Sequence, residues 1–146
     1  MRVERIINSY LAKRKRAARL YKRLKELEDR AKSPPSSANY CEVKSRGTKT
    51  REDLFVIIAD VREEWQNAAL DELEARQHLF DLILKLKDPE EADVLYYRFV
   101  ECMTAEQTEK ELKYCGEVRQ IFRKQKTGLK HLEKIAAEDE KERRNN

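Results

Sequence analysis

Two long stretches of this chain place apolar residues at two positions in every seven, and this repeat constrains the fold more than any other feature. In the stretch 3–32 only Lys13 interrupts the repeat, which is formed by Ile6, Tyr10, Ala17, Leu20, Leu24, Leu27 and Ala31. In the stretch 50–87 only Glu72 interrupts it, and the apolar positions are Leu54, Ile58, Val61, Trp65, Ala68, Ala75, Leu79, Leu82 and Leu86. A strict seven-residue repeat keeps one seam of a helix against a partner helix, so we predict two coiled-coil helices.

The segment 33–51 separates the two repeats and breaks helical structure. It contains Pro34, Pro35 and Gly47 among several serines, so we predict a linker between the two helices, which together form a hairpin domain over 1–87. The linker is long enough for the second helix to fold back antiparallel on the first. The same helices can instead pair between two chains, and we expect the coiled coil to form a homo-oligomer, a dimer. The sequence leaves open whether the first helix pairs within or between chains.

The net charge of +4 is unevenly distributed along the chain. Residues 1–32 carry +8, residues 52–111 carry −11, and residues 112–134 carry +5. A basic first helix beside an acidic second helix predicts charge pairs along the flanks of the seam. The basic first helix is also an electrostatic footprint for nucleic acid, although the coiled-coil interpretation is the more common one for such a helix.

Three shorter helices are predicted after the hairpin. Asp88 caps the first of them, Pro89 occupies its first position and Glu91 completes a capping box, while Thr104 and Gln107 form a second capping box. A turn at 114–116 leads into the last helix, which we expect to end near Ile135. The apolar faces are Ala92, Leu95, Tyr96, Phe99 and Val100 on the first helix, and Val118, Ile121, Phe122, Leu129 and Leu132 on the last.

This pattern predicts a tri-helical helix-turn-helix module over 88–135, followed by a polar tail, 136–146, that frays. The predicted fold class is therefore all-α: a long coiled-coil hairpin followed by the helix-turn-helix module.

The residues needed for catalysis or for binding a metal ion are scarce. The chain has 3 glycines, 3 cysteines and 2 histidines, with no Gly-rich phosphate loop, no HExxH and no CxxC pair. We predict no enzymatic activity, cofactor or metal, and we interpret His78 and His131 as solvated helix residues and Cys102 and Cys115 as half-buried residues near turns. No segment is apolar enough to span a membrane and no secretory signal is evident, so the expected location is the cytoplasm.

The last predicted helix carries the residues that best match a function. In a helix-turn-helix the first turns of the second helix enter the major groove, where arginine reads guanine, glutamine reads adenine and lysine contacts phosphate. These residue types predict binding to double-stranded DNA by Arg119, Gln120, Arg123, Lys124, Lys126 and Lys130. A solvated basic helix face is the alternative interpretation.

The stretch LKDPEEADVLYYRFVECMTAEQTEKELKY resembles the signature of small phage-encoded transcriptional regulators of the RinA/ArpU type, whose carboxy-terminal module is similar to region 4 of RNA polymerase sigma factors. Ser33-Pro34, Val43, Gly47 and the acidic second helix match the layout of that family. The matching positions within the signature are Asp88, Pro89, Leu95, Tyr97, Arg98, Thr104, Glu106, Leu112 and Tyr114. The resemblance implies DNA binding at phage promoters in a bacterial host, with activation of late or packaging genes. RNA polymerase is a further partner that we consider.

The chain departs from this family pattern around the turn. Thr108 and Glu109 stand where the family has a small apolar pair that packs on the recognition helix, and a buried Glu109 would cost a few kcal/mol. Either the helix rotates to expose Glu109 or the module is degenerate. Two residues can fill the first apolar position of the recognition helix: Val118 if the turn is shortened, or Ile121 if it is lengthened. A degenerate module predicts instead a protein-interaction role or a DNA-packaging subunit similar to small terminases.

Overall fold

The structure, a computed structural model, describes residues 1–32, 51–113 and 117–146. Every regular element in these residues is helical, so the all-α prediction is confirmed. The elements are α1 (Arg2–Lys32), α2 (Arg51–Leu84), α3 (Pro89–Leu95), which continues into a π-helical turn (Tyr96–Val100), α4 (Ala105–Glu111) and α5 (Val118–Asn145). Apart from Arg51, where α2 begins, the predicted linker lies outside the described residues, as does the predicted turn with Tyr114 and Cys115.

The described residues form two compact units, and their boundaries differ from the predicted division at residue 87. One unit is Ala12–Glu72, and the other combines Met1–Leu11 with Leu73–Asn146. The difference arises because the start of α1 and the end of α2 share a hydrophobic core with the last helices. Sequence repeats define where a helix has an apolar seam, but they do not define which partner the seam covers at each end.

In the unit Ala12–Glu72, α1 packs antiparallel on α2 of the same chain. Leu24 on α1 is buried against Ile58 and Val61 on α2, and the rings of Tyr21 and Trp65 lie with their centroids 5.6 Å apart. The predicted seam positions are therefore the ones that pack. Within this unit, the pairing that the sequence left open occurs inside one chain.

The second unit is built around a larger core. Tyr10 of α1 is buried, and its hydroxyl donates a hydrogen bond of 2.9 Å to the carbonyl of Val100 in the π-helical turn. Side chains from α1, α2, the turn after α2, α3 and α5 complete the core, namely Val3, Ile7, Leu79, Leu82, Ile83, Leu86, Leu95, Leu132 and Ala136. This core fixes α5 beside α3.

The predicted start of α3 is confirmed at two of its three residues. The side chain of Asp88 accepts a hydrogen bond from the backbone N–H of Glu90, and Pro89 begins the helix. Glu91 departs from the prediction, because its carboxylate contacts His131 on α5, with 2.7 Å between Oε2 and Nδ1. Glu91 is buried by this packing, and its partner lies forty positions away in the sequence.

The last helix is longer than predicted. α5 continues past Ile135 to Asn145, so the prediction of a fraying tail from residue 136 is wrong for most of that segment. Ala136 is buried in the core, and Asp139 forms an ion pair of 3.0 Å with Lys85. These contacts stabilise helical structure in a segment whose composition alone indicated a free end.

Candidate nucleic-acid interface

One face of α5 holds this helix against the rest of the unit. Ile121, Gly128, Leu132 and Ala136 are buried at helical spacing. Gly128 allows α3 to approach closely, since a Cβ atom at this position would lie 3.1 Å from Cδ1 of Leu95 on α3. The opposite face of α5 is consequently the one that solvent reaches.

The short helix α4 packs on the start of α5. Its capping box is confirmed, because the Thr104 hydroxyl accepts from the backbone N–H of Gln107 and the Gln107 side chain accepts from the backbone N–H of Thr104. Ala105 and Leu112 join Val94 and Ile121 in a small buried cluster. This cluster sets the position of the first turns of α5 against α4.

Glu109, which departs from the family pattern, is not enclosed in the core. Glu109 is only half-buried, whereas its neighbour Thr108 is fully buried. The Thr108 hydroxyl donates a hydrogen bond of 2.9 Å to the carbonyl of Thr104, so this buried polar atom is paired. At the start of α5, both Val118 and Ile121 contribute to the cluster, and Ile121 is the more deeply buried.

Four of the six predicted DNA-binding residues lie exposed on the outer side of α5. These are Arg119, Arg123, Lys126 and Lys130, at spacings of three or four residues that place them on one side of a helix. The side chain of Gln120 is half-buried. We call these four residues the α5 basic face.

Lys124 is the predicted residue that the structure places elsewhere. Its Nζ lies 3.0 Å from Oε2 of Glu90 and 3.4 Å from Oδ2 of Asp88, both at the start of α3. The hydrogen bond to Glu90 and the one to Asp88 raise the pKa of Lys124. Lys124 therefore ties α5 to the start of α3 and is not available as a phosphate contact in this arrangement.

Phe122 lies at the edge of the α5 basic face and is exposed, so its assignment to the buried apolar face is wrong. Its side chain is 52% exposed, and the Arg98 guanidinium lies 5.8 Å from the centroid of its ring. Arg98 is itself fixed by hydrogen bonds to the Gln125 side chain, at 2.8 Å, and to the carbonyl of Met103, at 2.9 Å. The exposed face of α5 thus combines four cations with one aromatic ring.

Glu133 has a structural role that the sequence analysis missed. Its two carboxylate oxygens accept hydrogen bonds from the backbone N–H groups of Val3, at 3.0 Å, and Arg2, at 3.1 Å. These N–H groups belong to the first turn of α1, which has no partners for them within the helix. The hydrogen bond from Val3 in particular lowers the pKa of Glu133. A partner more than 100 residues away gives no local signal in the sequence.

Replacing Glu133 by glutamine should remove a contribution to stability that depends on pH. Because the pKa of Glu133 is lowered in the folded chain, its contribution is complete above the ordinary value of 4.5 and is lost as the pH falls through the lowered value. We expect Glu133→Gln to cost about 1 kcal/mol of the free energy of unfolding near neutral pH. The measurement is urea denaturation at a series of pH values.

The difference between wild type and Glu133→Gln should shrink toward zero on acidification. Glu138→Gln is a matched control, because Glu138 is an exposed carboxylate on the same helix. A difference for Glu133→Gln that stays constant down to acidic pH would contradict the capping role.

The described residues were also searched for a metal site and for a membrane-spanning helix. Nowhere in them do three His, Cys, Asp or Glu side chains gather closely enough to share a metal ion. None of the helices in these residues has the length and apolar character needed to cross a bilayer. Comparison of the chain with family models, curated proteins and solved structures finds no match.

Proposed function

We propose that this protein is a phage-type transcriptional regulator that binds double-stranded DNA, with the start of α5 in the major groove. The observation that supports the proposal most directly is the α5 basic face, exposed on a helix whose other side is fixed in a core. Recognition of a DNA groove requires cations that bind phosphate and side chains that are held in a fixed geometry toward the bases, and a cationic face on a fixed helix provides both. The resemblance of 86–112 to the RinA/ArpU signature supports transcription, at late or packaging promoters.

Within this proposal the residues of α5 have different roles. Arg119 and Arg123 lie one helical turn apart near the start of the helix, where base contacts are made in helix-turn-helix proteins. Arginine presents two parallel N–H donors that match the O6 and N7 acceptors of guanine. Gln120 lies between them on the helix, half-buried, with an amide that matches adenine. Lys126 and Lys130 lie further along and supply phosphate contacts.

The proposal is tested by selecting DNA sequences from a random duplex library with the purified protein at two salt concentrations. Enrichment of one motif, bound more weakly at higher salt, supports a regulator that reads bases. Binding without enrichment contradicts base reading, and the absence of binding at low salt contradicts DNA binding altogether.

Replacing Arg119 or Arg123 by alanine should weaken binding to the selected site by about 1–3 kcal/mol for each residue, because each substitution removes a base contact. The preference at one position of the motif should relax in parallel. The measurement is fluorescence anisotropy with the selected duplex and with single-base variants of it.

Two control variants separate base reading from general charge. Lys141→Ala removes one exposed cation from the end of the same helix and should leave the affinity unchanged within about twofold, since exposed charges are screened over about 10 Å at 0.1 M salt. Lys124→Ala should act on stability more than on base preference, because Lys124 is bound to Glu90 and Asp88. Equal losses for Arg123→Ala and Lys141→Ala would contradict the assignment.

A second candidate function is a protein-interaction role, as a regulator that docks on RNA polymerase or as a packaging subunit that assembles into a ring. The observation that favours it is Phe122, since an exposed aromatic ring flanked by arginines is the composition of protein-binding hot spots. The mass of the protein in solution distinguishes a packaging subunit from a regulator, because packaging subunits assemble into rings, whereas we expect a regulator to be a dimer. A ring that binds no DNA motif would favour the second candidate.

A further inference from the structure

The outer side of α1 carries a dense group of cations within the unit Ala12–Glu72. We call this group the α1 basic strip; its members are Lys15, Arg16, Arg19, Lys22 and Arg23, all of them exposed. They lie on the side of α1 away from the seam, where Ala17 and Leu24 are buried. With a rise of 1.5 Å per residue, the strip extends for about 12 Å along the helix.

The acidic helix does not neutralise this strip, although the sequence predicts charge pairs between the two helices. Between α1 and α2 in this unit, the ion pair found in the described residues is Glu28 with Arg62, at 3.1 Å, in which α1 supplies the carboxylate. In the part of the chain that the structure describes, no member of the strip lies within 4.0 Å of a carboxylate oxygen. The charge of the strip is therefore available to a partner outside the unit.

The composition of the strip favours a partner that offers charge without an apolar surface. The larger apolar side chains between Lys15 and Arg23 pack toward α2 instead of beside the strip: Leu20 is half-buried on the seam side, and Tyr21, which is 46% exposed, packs against Trp65. Protein-binding hot spots combine arginine with large aromatic residues, and a helix that lies in a membrane surface needs an apolar face. Duplex DNA needs only cations, since it carries one negative charge per about 1.7 Å of its axis.

We propose that the α1 basic strip binds the phosphate backbone of double-stranded DNA without reading its sequence. This inference deepens the proposed function and rests on its premise that the ligand is DNA. The strip adds contacts that are independent of the base sequence and come from a unit other than the one that contains α5. Phosphate binding would explain why α1 carries these cations, which form no ion pairs with α2 in the described residues.

The test uses the full chain with the substitutions Lys15→Gln, Arg19→Gln and Lys22→Gln combined, which we call the strip variant. Glutamine has nearly the same helix propensity as lysine and arginine, so α1 is retained, and circular dichroism verifies this. The measurement is the affinity for a random-sequence duplex at several salt concentrations. Each lost phosphate contact should reduce the slope of log K against log salt by about 0.9 and the affinity at 0.1 M salt by roughly tenfold.

A charge-matched control separates the strip from the overall charge of the protein. Combining Ala59→Glu, Gln66→Glu and Asn67→Glu lowers the net charge by the same three units at exposed positions of α2. This control should leave the salt slope nearly unchanged, because it removes no phosphate contact. Equal effects of the control and of the strip variant would overturn the proposal.

The remaining outcomes distinguish failure of the strip from failure of base reading by α5. Suppose that a motif is enriched and that its binding depends on Arg119 and Arg123, but that the strip variant keeps the wild-type slope of log K against log salt. The proposal for the strip is then overturned, and the proposed function stands. If no motif is enriched and the strip variant loses its affinity for random duplexes, the strip stands and base reading fails. If the strip variant has a lower mass than the wild type in the absence of DNA, the strip binds a second copy of the chain, and its role in DNA binding is overturned. If the wild type binds no duplex at low salt, both proposals are overturned.

Discussion

Ile121→Ala should lower the free energy of unfolding of the unit that contains α5 by about 2–5 kcal/mol. Ile121 is completely buried in the cluster with Val94, Ala105 and Leu112, where it joins α5 to both α3 and α4. Truncation to alanine removes apolar burial and leaves a cavity that these short helices must close. The measurement is urea denaturation followed by circular dichroism, with hydrogen exchange to locate the loss in α4 and α5.

The neighbouring substitution Phe122→Ala is the matched control for this effect. Phe122 is the next residue in the chain and is larger, but its side chain is 52% exposed. We expect Phe122→Ala to cost less than about 1 kcal/mol, since it gives up only partial burial and the contact with Arg98. A greater loss of stability for Phe122→Ala than for Ile121→Ala would mean that α5 is rotated differently about its axis.

His131→Ala should lower the free energy of unfolding by about 1–3 kcal/mol, an unusually large effect for a half-exposed side chain. The reason is the partner of His131: the carboxylate of Glu91 is buried between α3 and α5, with its Oε2 2.7 Å from Nδ1 of His131. Removing the imidazole leaves a buried acceptor without that hydrogen bond. The same denaturation measurement detects the loss.

A second substitution tests whether the unpaired carboxylate is the cause. Glu91→Met fills a similar volume with an apolar side chain, so the combination of His131→Ala with Glu91→Met should regain most of the stability that His131→Ala alone loses. Replacing both members of a buried polar pair by apolar groups is often nearly neutral, whereas removing one is costly. A double variant that is no more stable than His131→Ala would show that the imidazole contributes through packing alone.

Much of the helical architecture follows from the sequence through short-range rules. The seven-residue repeats predict α1 and α2 and the residues of their seam, because the repeat itself defines which side of a helix is apolar. The starts of α3 and α4 are predicted by Asp88, Pro89 and Thr104, since capping joins a side chain to backbone atoms within three residues. Such features require no knowledge of how distant segments pack.

The candidate site depends on contacts that the sequence does not contain. Ile121 and Phe122 are adjacent apolar residues, and only the packing of α3 and α4 against α5 decides that one is buried and the other exposed. Lys124 has the same charge as Lys126, but the position of Asp88 and Glu90 across the helix interface gives it a different role. For the same reason, which cations of α5 are paired follows from the packing of the helices and not from the order of the residues.

The sequence by itself thus determined the helical class, the starts of α3 and α4 and the apolar seams of α1 and α2, because those properties arise from the spacing of neighbouring residues. The tertiary structure decided which charges are paired, since an ion pair requires two atoms within about 4 Å whatever their separation in the chain. It placed His131 against Glu91 and Glu133 against the start of α1. It also left the α1 basic strip outside the ion pairs that the charge pattern had predicted, because α2 directs its seam, rather than its carboxylates, toward α1.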